Sequence, residues 1–170
     1  MVAPGRAGTL VVAVGLASVL GACAGSRVED GVFRSASGYR VTLPGPEWKE
    51  VAASRGNLEF RHATTRAGML VSAQCDPAVS RRTLDVLGRQ LLIGLRDLRR
   101  VEHGAVPVDG RSAAHALLEG RLDGGAPVRI EAYTLKGQRC VYDLILVAER
   151  SAFDGARADF RRLVDSFATD

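Results

Sequence analysis

The residues of this chain that could take part in acid–base or nucleophilic chemistry are few and widely spaced. His62, His103 and His115 are the histidines, and none belongs to a His-Glu-x-x-His or Cys-x-x-Cys pair that would hold zinc. Ser112, His115 and Asp143 supply the residue types of a hydrolase triad. However, Ser112 and His115 lie three positions apart in a predicted strand, so their side chains point to opposite faces. A hydrolase is therefore a remote alternative. The glycine motifs that bind phosphates and dinucleotides are also absent, so we predict that the chain is not an enzyme and has no metal site or cofactor.

The amino-terminal segment has the features of a secretion leader that ends at a cysteine. Residues 9–20 are largely apolar and follow a single basic residue, Arg6. About 12 such positions suit the core of a signal peptide, whereas a membrane-spanning helix needs about 20. The next residues, Leu20-Gly21-Ala22-Cys23, resemble the bacterial lipobox, in which a leucine and two small residues precede the cysteine that is lipidated. We therefore predict a helical lipoprotein signal peptide over residues 1–22.

The lipobox resemblance implies both a modification and a location. The Cys23 thiol would receive a diacylglycerol, cleavage would precede the cysteine, and the new amino terminus would carry a fatty acid such as palmitate. Several acyl chains exceed what stable membrane anchoring requires. Ala24 stands where an aspartate commonly retains such proteins at the inner membrane, so the resemblance implies the outer membrane, at its periplasmic face or at the surface. An ordinary signal peptide with an incidental cysteine and an uncleaved short anchor stay open as alternatives.

Two further cysteines, Cys75 and Cys140, remain for structural roles once Cys23 is lipidated. An even pair in the oxidising cell envelope favours a disulfide. Closing a loop of about 64 residues would stabilise the fold by roughly 4 kcal/mol. Each cysteine also lies in or beside an apolar strand pattern, where a free cysteine is a common small core residue. The sequence thus leaves a disulfide and two buried thiols as alternatives, and it predicts no catalytic thiol.

After a short polar tether, predicted over residues 23–32, the chain reads as one α+β domain over residues 33–170. Alternating apolar and polar residues predict strands on both sides of a mid-chain helix. These strands are expected at Tyr39–Leu43, Trp48–Val51, Leu58–His62, Gly68–Cys75, Val101–Val108, Ala113–Leu122, Val128–Lys136 and Arg139–Ala148. Asp-Gly and Lys-Gly turns between the later runs favour hairpins, so these strands should form an antiparallel meander.

Two amphipathic helices are predicted to pack on this sheet. Five leucines recur at three- and four-residue steps and form one apolar stripe, namely Leu84, Leu87, Leu91, Leu95 and Leu98. The opposite side of this helix would carry Arg82, Arg89, Arg96 and Arg100. These arginines are the candidate surface for a protein partner or for anionic lipid, with a solvated face as the alternative. A second helix is predicted near the C-terminus, where Phe153, Phe160 and Phe167 share its apolar side.

Four features of the sequence occur together: Gly38–Pro44 followed closely by Trp48, the leucine helix, the three-stranded meander, and the ending Phe160–Phe167. This layout resembles the PsbP/Mog1/DcrB-like α/β sandwich family over residues 33–168. The resemblance implies an antiparallel sheet with two packed α-helices. Members of that family are mostly non-enzymatic, act in binding or assembly, and include bacterial lipoproteins. None of their partner-binding residues can be placed on this sequence, so the resemblance implies no site.

Charge and composition narrow the class of partner. The net charge of +4 at neutral pH is small, and the basic residues are spread along the chain. We therefore expect no nucleic-acid partner. The sequence predicts a non-enzymatic, lipid-anchored envelope protein that acts in protein binding or assembly. A carrier of a small apolar ligand or lipid is the alternative, and an apolar cavity between sheet and helix would support it.

Overall fold

The structure is a computed structural model that describes residues 25–51, 57–84, 87, 95–122 and 125–170. The predicted signal peptide and Cys23 lie outside the described residues, as do Arg89 and most of the predicted leucine helix. No helix in the described part of the chain is long and apolar enough to cross a membrane.

The described strands form two antiparallel sheets, and two helices are described with them. In chain order the elements are β1 (Arg27–Glu29), β2 (Val32–Ser35), β3 (Tyr39–Thr42), β4 (Trp48–Val51), β5 (Leu58–His62), β6 (Gly68–Gln74), α1 (Pro77–Ser80), β7 (Leu95–Val108), β8 (Arg111–Leu122), β9 (Pro127–Lys136), β10 (Val141–Glu149), α2 (Phe153–Ser166) and β11 (Ala168–Thr169). The larger sheet has the strand order β4-β5-β6-β10-β9-β8-β7, and the smaller has the order β1-β2-β3-β11. The predicted antiparallel α+β architecture is confirmed, although more of it is sheet than the sequence indicated.

Turn chemistry sets the register of the predicted meander. At Asp109 and Gly110 the backbone φ angles are 51° and 67°. These values lie in the left-handed region that a two-residue type I′ hairpin requires at both positions. From this turn the register runs across β8, β9 and β10, so that Ala113, Leu135 and Tyr142 lie side by side. The antiparallel meander is confirmed, and its register decides which polar side chains meet.

The core lies between one face of the larger sheet and α2. Leu135 and Leu144 on the sheet are fully buried, and so are Phe153 and Phe160 on the helix. The smaller sheet closes the same core with Val41, which is also fully buried. Burying one such side chain contributes about 1.5–3 kcal/mol. This packing fixes α2 across the strands and places Arg157 of α2 next to Glu131 of the larger sheet.

The predicted leucine helix is only partly helical. The backbone is helical at Leu84 and Leu87, and the Leu87 side chain is buried. From Leu95 onward the chain is a strand. The prediction that Leu95 and Leu98 belong to a helix is therefore wrong.

A β-bulge explains why the leucine spacing imitates a helix. Asp97 has a φ of 53°, and the register between β7 and β8 shifts around it. Leu98 packs over Gly120, where an added Cβ would lie 3.1 Å from Leu98 Cδ2. Leu95 pairs with Leu122, two residues from Gly120 and therefore on the same face. The extra residue of the bulge thus produces a three-residue apolar step without a helical turn.

Part of the predicted tether belongs to the smaller sheet. Arg27–Glu29 pairs with β2 through a turn at Asp30 and Gly31, whose φ angles are 50° and 73°. An Asp-Gly pair between two short extended runs is the sequence signal of such a hairpin. The C-terminal strand β11 completes the sheet beside β3. Cys23 therefore precedes a paired strand by only four positions in the sequence.

Candidate functional site

The residues that could form a hydrolase triad are separated by the larger sheet. His115 lies on the face that carries α2, whereas Asp143 pairs with Thr134 and points to the opposite face. The Asp143 carboxylate accepts hydrogen bonds from Thr134 Oγ1 at 2.8 Å and from Gln74 Nε2 at 3.3 Å. Burial raises the pKa of Asp143, and the two hydrogen bonds only partly oppose that rise. This geometry excludes a triad of Ser112, His115 and Asp143.

A fully buried carboxylate, Glu131, is the centre of the polar network beneath α2. Its Oε1 atom accepts a hydrogen bond from the Tyr133 hydroxyl at 3.1 Å and lies 3.0 Å from His115 Nε2. Arg157 on α2 binds both carboxylate oxygens, with Nε 2.7 Å from Oε2 and an Nη atom 2.9 Å from Oε1. Such a two-pronged contact is the strongest geometry of an arginine–carboxylate pair. The network therefore fastens α2 to β8 and β9.

These partners keep Glu131 ionised although it is buried. Burial alone would raise its pKa, but the hydrogen bonds from His115 and Arg157, the positive charge of Arg157 and the Tyr133 hydroxyl lower it to about 2. Burial, together with the negative charge of Glu131, raises the pKa of Tyr133 to about 12, so the phenol stays protonated. The polar atoms of the network are directed at one another rather than at solvent, which is the arrangement of a structural cluster.

Acid should destabilise the domain through Glu131. Its pKa is lowered from 4.5 to about 2 on folding, so it stabilises the folded state fully above pH 4.5 and loses this contribution as the pH falls toward 2. A difference of this size corresponds to about 3 kcal/mol. The free energy of unfolding in urea should therefore fall over this pH range, and it should fall less in the Glu131→Gln variant. An equal fall in both proteins would contradict the assignment.

A second carboxylate on the same face, Glu119, binds three arginines. Arg99 and Arg150 each place an Nη atom against its Oε2, at 2.5 and 2.8 Å, and Arg129 Nε lies 3.0 Å from Oε1. The hydrogen bond from Arg99 is the main cause that lowers the pKa of Glu119. Glu119 is buried, but the side chains of Arg99 and Arg150 are 68% and 59% exposed. Three positive charges thus surround Glu119 at an accessible surface, which we call the arginine fan (Arg99, Arg129 and Arg150). At its edge, Asp154 Oδ1 lies 4.0 Å from Arg129 Nη1.

The arginines predicted to share one helix face do not share a helix in the structure. Arg82 lies in a bend after α1, and Arg89 lies outside the described residues. Arg96 and Arg100 are on β7, where the register places them on opposite faces of the strand. The prediction that Arg96 and Arg100 are helical is therefore wrong, because the bulged strand begins before them. The structure brings together the arginine fan instead.

Cys75 and Cys140 are joined in a disulfide, with an S–S distance of 2.00 Å. The bond links the residue after β6 to the residue before β10, and these strands pair from Gln74 and Val141 onward. Cys140 is buried, and its sulfur lies 3.7 Å from the carbonyl oxygen of Ser37 in the smaller sheet's turn. Of the two alternatives that the sequence leaves open, the structure therefore contains the disulfide, and neither cysteine is a free nucleophile in it.

One cavity of about 470 Å³ lies between the β5–β6 turn and the start of α2. It is lined by Thr64, Thr65, Arg66, Glu149, Ser151 and Ala152. This lining is polar and includes both signs of charge, unlike the apolar walls expected for a lipid carrier. Among the described residues, no group of three or more His, Cys, Asp or Glu side chains is arranged to hold a metal ion.

The fold is shared with several solved structures. Cyanobacterial PsbP (CyanoP) from Synechocystis sp. PCC 6803 has a TM-score of 0.60 at 18% identity, covering 89% of this chain and 99% of that chain. The Ran-binding protein Mog1p of Saccharomyces cerevisiae has a TM-score of 0.51 at 9% identity, covering 78% and 90%. LpqN of Mycobacterium tuberculosis, involved in cell envelope biogenesis, has a TM-score of 0.52 at 15% identity, covering 78% and 84%.

The domain therefore has a PsbP/Mog1-like fold, as the sequence resemblance implied. Because these identities do not exceed 18%, the likeness shows the fold and not the function. No protein-family model and no curated protein sequence matches the chain.

Proposed function

We propose that the chain is a non-enzymatic, lipid-anchored protein of the bacterial cell envelope. Its domain would bind other proteins or take part in their assembly. The observation that carries this proposal is the position of the lipobox cysteine, because Cys23 precedes β1 by only four residues. A lipid on Cys23 would hold the folded domain directly at a membrane, and several acyl chains suffice for stable attachment. Ala24 after the cysteine supports the outer membrane as its location.

The described polar groups support binding rather than catalysis. An active site needs titratable groups that converge on a position where a substrate can sit. Glu131 is instead saturated by Arg157, His115 and a tyrosine, and Asp143 is buried on the other face of the sheet. The accessible arginines of the arginine fan recognise carboxylates and phosphates but do not exchange protons at neutral pH.

Two structural neighbours accord with a role in binding or assembly. Mog1p is a Ran-binding protein, and LpqN is involved in cell envelope biogenesis. A single fold hosts many functions, so these proteins support the class of function and not a particular partner. For this chain we therefore propose an envelope protein as the partner.

The described residues give no support to a carrier of a small apolar ligand. Carriers enclose their ligand in a cavity with mostly apolar walls. Between the larger sheet and α2 the side chains of Leu144, Leu146 and Phe160 are fully buried against one another, and the cavity beside α2 is polar. We therefore do not propose this alternative.

Lipid attachment should depend on Cys23 alone. In cells fed a labelled palmitate analogue, the Cys23→Ser variant should lose the label, because serine cannot form the thioether to diacylglycerol. It should also accumulate as a precursor that keeps residues 1–22, since the cleavage follows lipidation. Labelling and intact mass after gel separation measure both effects.

The Cys75→Ser variant is the matched control, because it removes another cysteine and leaves the lipobox intact. It should keep both the label and the cleaved mass. Label that persists in Cys23→Ser, or a cleaved wild-type protein without any acyl group, would refute the lipid anchor.

A further inference from the structure

We propose that the arginine fan is a docking site for an acidic segment of a partner protein. This inference rests on the proposed binding function and assigns a surface to it. Each guanidinium carries five N–H donors, and a carboxylate can accept two of them side by side. Glu119 receives a hydrogen bond or ion contact from one nitrogen of each arginine in the fan. The side chains of Arg99 and Arg150 are mostly exposed, so the donors that do not contact Glu119 are accessible to a second carboxylate.

The exposed apolar side chains near Arg99 and Glu119 in the sequence do not belong to the arginine fan. Leu98 packs over Gly120, and Leu122 is on the same face of β8 as Gly120. Glu119 is one position before Gly120 and therefore points to the other face of the sheet. The arginine fan thus offers positive charge and hydrogen-bond donors, and it fits an acidic segment.

The strand that carries Arg99 forms an edge of the larger sheet. Among the described residues β7 pairs only with β8, and its side chains from Arg96 to Ala105 are exposed. Two register shifts interrupt its pairing, one of them around Asp97. Bulges and charges on an edge strand hinder indiscriminate pairing with other strands. A partner would therefore be selected by contacts to side chains, with the arginine fan supplying the charge.

The arginine fan lies at the end of the sheet opposite to the point where the chain enters the domain. Ser26 Oγ accepts a hydrogen bond from the Ala36 amide, and the carbonyl of Ser37 accepts one from the Tyr142 hydroxyl at the start of β10. Arg129 pairs with Ala148 near the other end of β10, six residues beyond Tyr142. At a rise of about 3.3 Å per residue, the fan is roughly 20 Å from the start of that strand.

This placement favours a protein over lipid headgroups as the occupant. Cys23 is three residues before Ser26, so the Cα atom that carries the lipidated side chain can be at most about 11 Å from the Cα atom of Ser26. Charges on a membrane surface act over a Debye length of about 8–10 Å. With the lipid at one end of the sheet and the arginine fan at the other, the fan is presented to the space beyond the membrane surface, where a partner protein would approach.

The test uses the acylated mature protein, which begins at Cys23, held in vesicles of neutral phosphatidylcholine. The probe is a fluorescent peptide rich in glutamate, and its counterpart has glutamine in place of glutamate. Fluorescence anisotropy measures binding at low and at high salt. We expect the glutamate peptide to bind, the glutamine peptide not to bind, and salt to weaken the complex, because exposed charges are screened.

Arg150→Gln is the first variant, because it leaves Arg99 and Arg129 on Glu119 and so spares the fold. It should weaken binding of the glutamate peptide about ten-fold, as expected for the loss of a charged hydrogen-bond donor. The Arg99→Gln/Arg150→Gln double variant should abolish binding. Arg27→Gln is the matched control, since Arg27 is similarly exposed, at 57% against 59% for Arg150, and lies in the smaller sheet.

Either of two results would refute the docking site. In the first, the glutamate peptide binds the Arg150→Gln variant as tightly as it binds wild type. In the second, phosphatidylglycerol vesicles bind through the arginine fan and the glutamate peptide does not bind. The intact mass of the same sample reports acylation separately. An acylated protein that fails to bind the peptide refutes the docking site alone, and an unacylated protein that binds it refutes the lipid anchor alone.

Discussion

Replacing Glu131 with leucine is expected to lower the free energy of unfolding by about 3–5 kcal/mol, the cost of removing one partner from a buried ion pair. The loss is this large because Glu131 is fully buried and binds Arg157 through both carboxylate oxygens. Without the carboxylate, Arg157 keeps its charge against the apolar sheet, and the Tyr133 hydroxyl loses its acceptor. Typical domains are stable by about 5–15 kcal/mol, so the variant should unfold at a clearly lower urea concentration.

A double variant and a surface control make this prediction specific. Glu131→Leu/Arg157→Leu should recover part of the lost stability, because replacing both partners of a buried pair by apolar residues leaves no unpaired charge. Glu29→Leu should change the stability by less than about 1 kcal/mol, since its ion pairs with Arg27 and Arg34 are exposed. Urea midpoints that are equal for wild type and Glu131→Leu would show that the network does not hold α2.

Removing the disulfide should have an effect of similar size. The bond between Cys75 and Cys140 joins residues 65 positions apart in the sequence. In the chain-entropy model such a cross-link stabilises the folded state by about 4 kcal/mol, chiefly because it restricts the unfolded chain. The Cys75→Ala/Cys140→Ala variant should therefore unfold at a lower urea concentration than the oxidised wild type.

Reduction provides the control for the disulfide. A reductant should lower the stability of the wild type and leave that of the double variant unchanged. Alkylation of denatured, unreduced protein taken from the envelope should find both cysteines blocked. Two free thiols at these positions, or a double variant as stable as wild type, would contradict the prediction.

Local patterns predict most of the larger sheet and the closing helix. The strand runs from Leu58, from Gly68 and from Val128 begin within one residue of where the structure begins them, and α2 begins at Phe153 as its apolar side indicates. Each of these elements buries one side, so the spacing of its apolar residues indicates whether it is a strand or a helix. The bulge at Asp97 breaks that link, because an inserted residue changes which side chains share a face. The three-residue spacing of Leu95 and Leu98 is therefore typical of a helix, although both residues belong to a strand.

Long-range register, rather than local pattern, creates the polar clusters. Glu131 and Tyr133 follow the alternation of β9, but nothing local shows that Arg157 will reach the same carboxylate from a helix. The arginine fan likewise joins β7, β9 and the turn before α2 at one glutamate on β8. The sequence signal that could have indicated it is Glu119 opposite Arg129 across a predicted hairpin. Cross-strand pairs of opposite charge are recognisable once the turn, and with it the register, is fixed.

In-cell cross-linking of the tagged full-length protein, followed by mass spectrometry, tests the proposed binding function most directly. We expect one envelope protein to be cross-linked reproducibly through an acidic segment. The contact should be lost in the Arg99→Glu/Arg150→Glu variant and kept in Arg27→Glu. The contradicting result is a protein that cross-links to no partner and instead retains a lipid or small molecule through purification.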